Sequence, residues 1–359
     1  MLRVSVLALE MMMRRSAMKR YAEPPTAWTQ HFGPGGLEEA YRLCEDASRD
    51  VLSFVRVPRA VPAREVTFER VNGTPRSGRV YSLRFRSPLP SGVERNDTVH
   101  ARVIFPKSGG AWDHAVVFHH PMRHDSWRLW EWFLEPLALR VPVVVMAAPH
   151  HFERRAADEF AGQRTCNANP WRLFEAIRQW CWDQAALRTA LIESLSLMPT
   201  AVIGFSLGAY QSLLMASAGC LDGVPIAAIG PANSYWWGVS HGWLGQEIVR
   251  SLRGVGVTHE MLYEMTHALD LHRHVPRLAG RDVLFIEGRW DGVDPAPSIE
   301  RLRHALNPRR AISLGAGHGT LLFWQRRIMR EVTHFFVECG ALDDAPVIDS
   351  RTAADTRTA

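Results

Sequence analysis

Cysteine is scarce in this chain. Cys44, Cys166, Cys181, Cys220 and Cys339 lie far apart, are odd in number and form no CxxC. That argues against a disulfide framework and a cysteine zinc site, and it points to a reducing compartment, the cytoplasm. Long hydrophobic runs are missing too. Residues 1–20 open with an apolar stretch, but Glu10 breaks it and Arg14 and Arg15 follow. The stretch is too short to span a bilayer and makes a poor secretory leader. We read it as a frayed or over-annotated start, since Met11, Met12, Met13 and Met18 could each begin translation. No stable membrane insertion is expected. Dense basic runs interleaved with aromatics are also absent, so a formal net charge of +5 over 359 residues is no nucleic-acid signature. There is no internal repeat.

What is present is ordinary globular material, 47% hydrophobic and 22% charged, enough for one large α/β domain with insertions. Residues 37–54 read as one amphipathic helix, so residues 1–60 are expected to form an N-terminal extension. Residues 64–106 alternate like strands and are broken at Asn72-Gly73 and at 88–92, which predicts an antiparallel entry to a sheet. Short apolar runs then alternate with helical stretches. Strands are expected at 115–118, 141–148, 200–204, 225–230, 282–288 and 311–314. Helices are expected at 127–139, 170–195, 207–218, 297–306 and 320–338. Strands that are apolar on both faces imply a mostly parallel sheet covered by helices on both sides. Residues 231–280 interrupt this rhythm and read as a helical cap insertion within a domain of 61–340. The polar tail 341–359 reads as disordered.

The run Gly204-Phe-Ser206-Leu-Gly208 follows an apolar strand and precedes a helix rich in small residues. A serine held on such a tight strand-to-helix turn projects its hydroxyl, while the flanking glycines let neighbouring backbone approach. A serine needs a base. His318 stands in Leu314-Gly-Ala-Gly-His318-Gly, just past the last predicted strand. The carboxylate that holds such a histidine should follow the strand before it. Asp291 and Asp294 are both available there. Asp291 is the better fit, being first after the strand and following Gly288 in a G-x-x-D run. Asp294 then reads as the cap of the next helix, with Pro295 at its first position.

In order, spacing and strand context these three runs resemble the α/β-hydrolase superfamily, over roughly residues 95–340. Within it, residues 121–127 and the Gly-Phe-Ser-Leu-Gly turn are similar, more weakly, to abhydrolase domain-containing 18-like proteins. The resemblance implies an α/β-hydrolase fold and a serine hydrolase in which Ser206, His318 and Asp291 work through an acyl-enzyme. It does not choose between ester, thioester, amide and carbon–carbon substrates, and a carboxylic ester is expected from the Trp-rich insertion alone. It implies no cofactor. It also implies two oxyanion donors. One is the amide of Leu207. The other comes from the loop 119–124, where the superfamily usually has His-Gly. With His119 in the histidine position the donor would be Pro121, which has no N–H. With His120 there, the donor is Met122, and Arg123 is the fallback.

His119, His120, His124, His150 and His151 all follow predicted strand ends. They read as loop-positioning side chains around the site, with His120 against substrate. A metal-dependent hydrolase built on them is an alternative, although their spacing matches no standard zinc pattern. Tyr235-Trp236-Trp237 sits on the insertion and could line an apolar acyl or aryl pocket, so the expected partner is a small-molecule ester with such a group. A catalytically impaired binding protein on the same fold is the other alternative, motivated by the altered loop.

Overall fold

The computed structural model describes residue 6 and residues 35–343, except 59, 72–77, 109, 166–168, 222, 242–251 and 255. The expected turn at Asn72-Gly73, most of the tail and the middle of the insertion lie outside the described residues.

One nine-stranded sheet organises the chain. In chain order its strands are β1 (Arg64–Arg70), β2 (Gly78–Arg86), β3 (Thr98–Pro106), β4 (His114–His119), β5 (Val143–Met146), β6 (Met198–Phe205), β7 (Ile226–Ile229), β8 (Val283–Gly288) and β9 (Arg310–Leu314). They lie side by side as β1-β2-β3-β5-β4-β6-β7-β8-β9. The pairs β1/β2, β2/β3 and β3/β5 are antiparallel, as the alternating first segment predicts. From β5 to β9 every pair is parallel. The all-apolar sequences of β5 and β7 are buried at every position, which only a sheet covered on both faces allows. β1 at the edge is largely exposed and carries Arg64, Glu65, Glu69 and Arg70. Charges of that kind discourage edge-to-edge pairing.

Because strand side chains alternate, the two sheet faces feed two separate cores. Val117, Val144 and Val202 join one core, with Cys44 of α1 (Gly36–Ser48), Leu52 of α2 (Val51–Val55), Ile177 of α4 (Pro170–Leu195) and Leu213 of α5 (Leu207–Ser217). Val116, Val143, Val145 and Ile203 join the other, with Phe133 of α3 (Trp127–Ala138) and Phe335 of α9 (Gln325–Glu338). Each such side chain contributes about 1.5–3 kcal/mol by leaving water.

Three local expectations are corrected. The single helix over 37–54 is two helices. Asp50 leaves the helical region (φ −149°, ψ 82°) and its carboxylate accepts the Ser53 N–H, so it starts α2 afresh. The last helix is preceded by a 3-10 segment, Gly319–Trp324, which tucks Leu321 into the core. The polar tail begins later than 341, because Leu342 is buried and the Ala341 carbonyl accepts from the Thr200 hydroxyl at 3.2 Å.

The insertion contains α6 (Tyr235–His241), α7 (His259–Thr266) and short 3-10 turns over 267–278. Its base is tied to the sheet's helices. Tyr210 of α5 donates to the Leu269 carbonyl at 2.7 Å, and Tyr41 of α1 donates to Glu264 at 2.5 Å. The helix that follows β8 is α8 (Ala296–Leu306). Among the described residues, no helix is long and apolar enough to cross a membrane.

Candidate active site

β6 ends at Phe205, and Ser206 carries the chain into α5 with φ 55° and ψ −116°. A non-glycine residue holds such a conformation only where its surroundings fix it. Here the Ser206 N–H donates to the Ile229 carbonyl at 2.8 Å, and the Ser206 carbonyl accepts from the Tyr210 N–H at 3.0 Å. The flanking glycines are required by contact. A Cβ on Gly204 would meet the Gly208–Ala209 backbone, and one on Gly208 would collide with the His119 carbonyl. In register, His119 of β4 lies beside Gly204 of β6, so the 119–124 loop begins next to this turn.

The loops after β8 and β9 close over the serine from the other side. They hold one another: Arg289 N–H donates to Leu314 and Trp290 N–H to Ala316, both at 2.9 Å. The Thr320 hydroxyl accepts the Gly317 N–H at 2.8 Å and shapes the turn that presents His318. His318 Nε2 lies 2.8 Å from Ser206 Oγ, and its Nδ1 lies 2.6 Å from Asp291 Oδ2. The carboxylate accepts, so Nδ1 carries the proton and Nε2 is left to accept from the hydroxyl. Asp291 Oδ1 accepts the Val293 N–H at 2.8 Å, which fixes the carboxylate's angle. Residues 206, 291 and 318, far apart in the chain, thus form one hydrogen-bonded line. His318 and Asp291 keep 14% and 13% of their side-chain surface, so the line is reachable. An imidazole so anchored can take a hydroxyl proton as the oxygen attacks an electrophile.

Asp294 has another place than the expected helix cap. α8 begins after Pro295 with no side-chain cap. Asp294 Oδ2 instead accepts the Asn233 and Ser234 N–H groups, at 2.7 and 3.2 Å, and binds the loop after β7 to the loop after β8. Burial pushes this carboxyl up to about 6.

The Leu207 amide opens α5, and the helix N-terminus directs partial positive charge at the serine. In the opposite loop the amides divide. Arg123 N–H donates to His151 Nε2 at 3.2 Å, so this fallback donor is already engaged. Met122 N–H makes no hydrogen bond to another described residue.

His120 is not a substrate-facing side chain. It is fully buried, its Nδ1–H donates to the Pro121 carbonyl at 2.7 Å, and its Nε2 accepts the Ala148 N–H at 2.9 Å. It locks the loop after β4 to the loop after β5. His151 does the same work between Pro149 and Arg123. His119 sits between Ser212 and Gln184. With both ring nitrogens engaged, these three side chains have no lone pair to offer a metal. Burial holds His119 and His151 down to about 4 and His120 well below the ordinary imidazole range. All three are therefore neutral at pH 7.

Trp236 donates from its indole to the His259 carbonyl at 3.1 Å and meets Tyr263 edge-on. Trp237 lies under the Arg301 guanidinium of α8 at 5.6 Å, and Tyr235 packs against the first core. The aromatic run thus holds α6 to its neighbours.

The sequence reading missed a buried polar network at the same sheet edge. Arg154, fully buried, donates to Asp183 Oδ2 at 2.7 Å and to the carbonyls of Asn96 and Ala147. Ser87 donates to Asp183 Oδ1 at 2.6 Å. Its one sequence signal is Asp183 on the otherwise buried face of α4. Two clefts of about 390 Å³ lie elsewhere, and neither is lined by a residue of the hydrogen-bonded line. One is lined by Met198 and Pro225, at the opposite ends of the strands. Chemistry, not volume, marks the site.

No protein-family model matches the sequence, and no curated protein does. Solved structures do. An acetyl xylan esterase from Paenibacillus sp. R4 superposes with a TM-score of 0.58 at 15% identity, covering 82% of this chain and 94% of its own. A second, from Thermoanaerobacterium sp. JW/SL YS485, gives 0.52 at 19% identity over 82% and 93%. This chain has the α/β-hydrolase fold. An acylaminoacyl peptidase from Pyrococcus horikoshii shares it, with a TM-score of 0.54 at 11% identity, over 76% of this chain and 41% of its own. At such identities the likeness is one of fold. Within the α/β-hydrolase frame, the serine turn follows β6, Asp291 follows β8 and His318 follows β9, in the chain order Ser, Asp, His.

Proposed function

We propose that this chain is a serine hydrolase that cleaves a small-molecule carboxylic ester through an acyl-enzyme. The observation that carries this reading is the line from Ser206 Oγ through His318 to Asp291, with links of 2.8 and 2.6 Å. Ser206 attacks the acyl carbonyl as His318 Nε2 takes its proton. Asp291 keeps the His318 tautomer and stabilises the imidazolium. The Leu207 and Met122 amides hold the oxyanion, at a cost of preorganisation already met in folding. His318 returns the proton to the departing alcohol. Water, activated by the same imidazole, then frees the acid.

An ester suits the likeness to acetyl xylan esterases, although the fold alone does not select substrates. An apolar acyl or aryl group is the expected preference, from Phe205, whose ring meets His318 edge-on. Residues 231–280 act as a cap in this reading. A cytoplasmic location belongs to it as well, in keeping with Cys44, Cys181 and Cys339 as free thiols.

Fluorophosphonate labelling of the full chain, beside Ser206→Ala, tests the proposal. Labelling of the wild type that is lost in the variant supports an activated serine. A folded wild type that takes no label overturns it and favours a binding protein on the same fold.

A further inference from the structure

Two buried nitrogens away from Ser206 lack hydrogen-bond partners among the described residues, and their side chains line one cleft. His150 follows β5 at the same edge of the sheet. It is 7% exposed, and its Nδ1 is unpartnered. Arg178, on α4, has its Nε buried in the same condition. The cleft has a volume of about 150 Å³ and is also lined by Arg164, Arg172 and Glu175.

Of the three guanidinium groups at the cleft, two are paired with carboxylates and one is not. Arg172 pairs with Glu175 at 2.7 Å and Arg164 with Glu159 at 2.5 Å. The Arg178 guanidinium lies over the Phe54 ring at 4.9 Å instead of against a carboxylate. Three guanidinium groups thus line the space with one carboxylate. Burial first, then Arg154, Arg164 and Arg172, hold His150 well below the ordinary imidazole range. A neutral His150 can carry its proton on Nδ1 and donate it. His150 also has φ 61°, a backbone state kept only where neighbours impose it. Its N–H donates to Asn96 Oδ1 and its carbonyl accepts from Gly162, both at 2.8 Å, so the ring is held in place from both sides.

We propose that this cleft binds a small oxyanion, a phosphate or carboxylate group, with Arg172 and Arg178 supplying the charge and His150 Nδ1–H and Arg178 Nε–H donating to it. Guanidinium groups suit such groups because their planar donors match paired oxygens. The bound anion satisfies both orphan nitrogens and offsets the excess positive charge. The cleft also adjoins the site's loops, because His151, next in the chain, holds the Arg123 amide beside Met122.

Calorimetric titration of the full chain with inorganic phosphate, and separately with acetate, tests this. At least one anion should bind, and Arg172→Ala with Arg178→Ala should weaken it about tenfold or more, the loss of one or two charge-assisted hydrogen bonds. Thermal unfolding of the double variant checks that it still folds. A second readout needs no variant: the His150 imidazole resonance of the wild type should move as the anion is added. Esters bearing a carboxylate or phosphate that displace the bound anion would assign the group to the substrate. Their failure to compete, with the anion still bound, would assign a free anion. Neither anion binding, or binding undiminished in a folded double variant with a stationary His150 resonance, overturns the proposal.

Discussion

Two groups of histidines stand at the same edge of the sheet and differ in almost everything that governs their chemistry. His119, His120 and His151 are fully buried, and each has both ring nitrogens engaged by protein groups. His318 keeps part of its surface, with one nitrogen on a carboxylate and the other on a serine hydroxyl. The first group cannot gain a proton without a large desolvation cost, so it serves as neutral linkers between loops. In the second, the carboxylate stabilises the imidazolium that would form. Position at a strand end is shared by both. Burial and the kind of partner separate them.

Substitutions should break the pairing apart in order of size. His318→Ala is expected to lower ester turnover by about 10⁴–10⁶ while leaving the unfolding midpoint nearly unchanged. Steady-state kinetics beside thermal unfolding would show this, and a variant retaining a tenth of its turnover would remove His318 from the chemistry. Asp291→Asn should follow at about 10⁴, because the wrong tautomer then faces Ser206. Asp294→Asn is the control, since Asp294 serves the Asn233–Ser234 backbone instead of the imidazole. Equal losses in the two would contradict the assignment.

Met122→Pro removes one amide donor and should cost about 10²–10³ in kcat with a smaller change in KM. A pre-steady-state burst that survives unchanged would shift the donor elsewhere. His120→Leu, in contrast, should act on stability. The Ala148 N–H would lose its buried acceptor, at about 1–3 kcal/mol, read from urea unfolding.

The smallest expected effect is one of pH. His119 and His151 lie near 4 when folded and near 6.5 when unfolded, so the unfolded chain takes up their protons first. The stability they contribute is complete above about 6.5 and declines as pH falls toward 4. Asp294 and Asp270, pushed up to about 6 by burial, work in the opposite sense between 6 and 4. Among the described residues eight histidines are held low by burial and five carboxyls are held high, so the urea midpoint should fall between pH 6.5 and 4.5, and less steeply in His151→Gln. A flat profile would sink this burial account.

Much of this was legible in the chain itself. The apolar runs of β4 to β8 imply a covered parallel sheet because only that environment hides both strand faces. The sequence around Ser206 implies a tight turn because Gly204 and Gly208 are the residues that tolerate the contacts found there. The order of Ser206, Asp291 and His318 follows the strands. These are local properties, written in periodicity and in residue size.

Other features required the third dimension. The choice between Asp291 and Asp294 depended on which carboxylate meets an imidazole 27 residues away in the chain, and the link to Ser206 spans 112. The fate of the Arg123 amide rested on His151, and the role of His120 on Ala148. Trp236 and Trp237 were drawn toward α7 and α8 by partners that no spacing in the sequence reveals. Hydrogen bonding is short-ranged and directional, so a side chain's task is set by what folding brings within 3 Å of it. Sequence alone determined the sheet, the turn and the set of candidate groups, and tertiary structure decided which of those groups face one another.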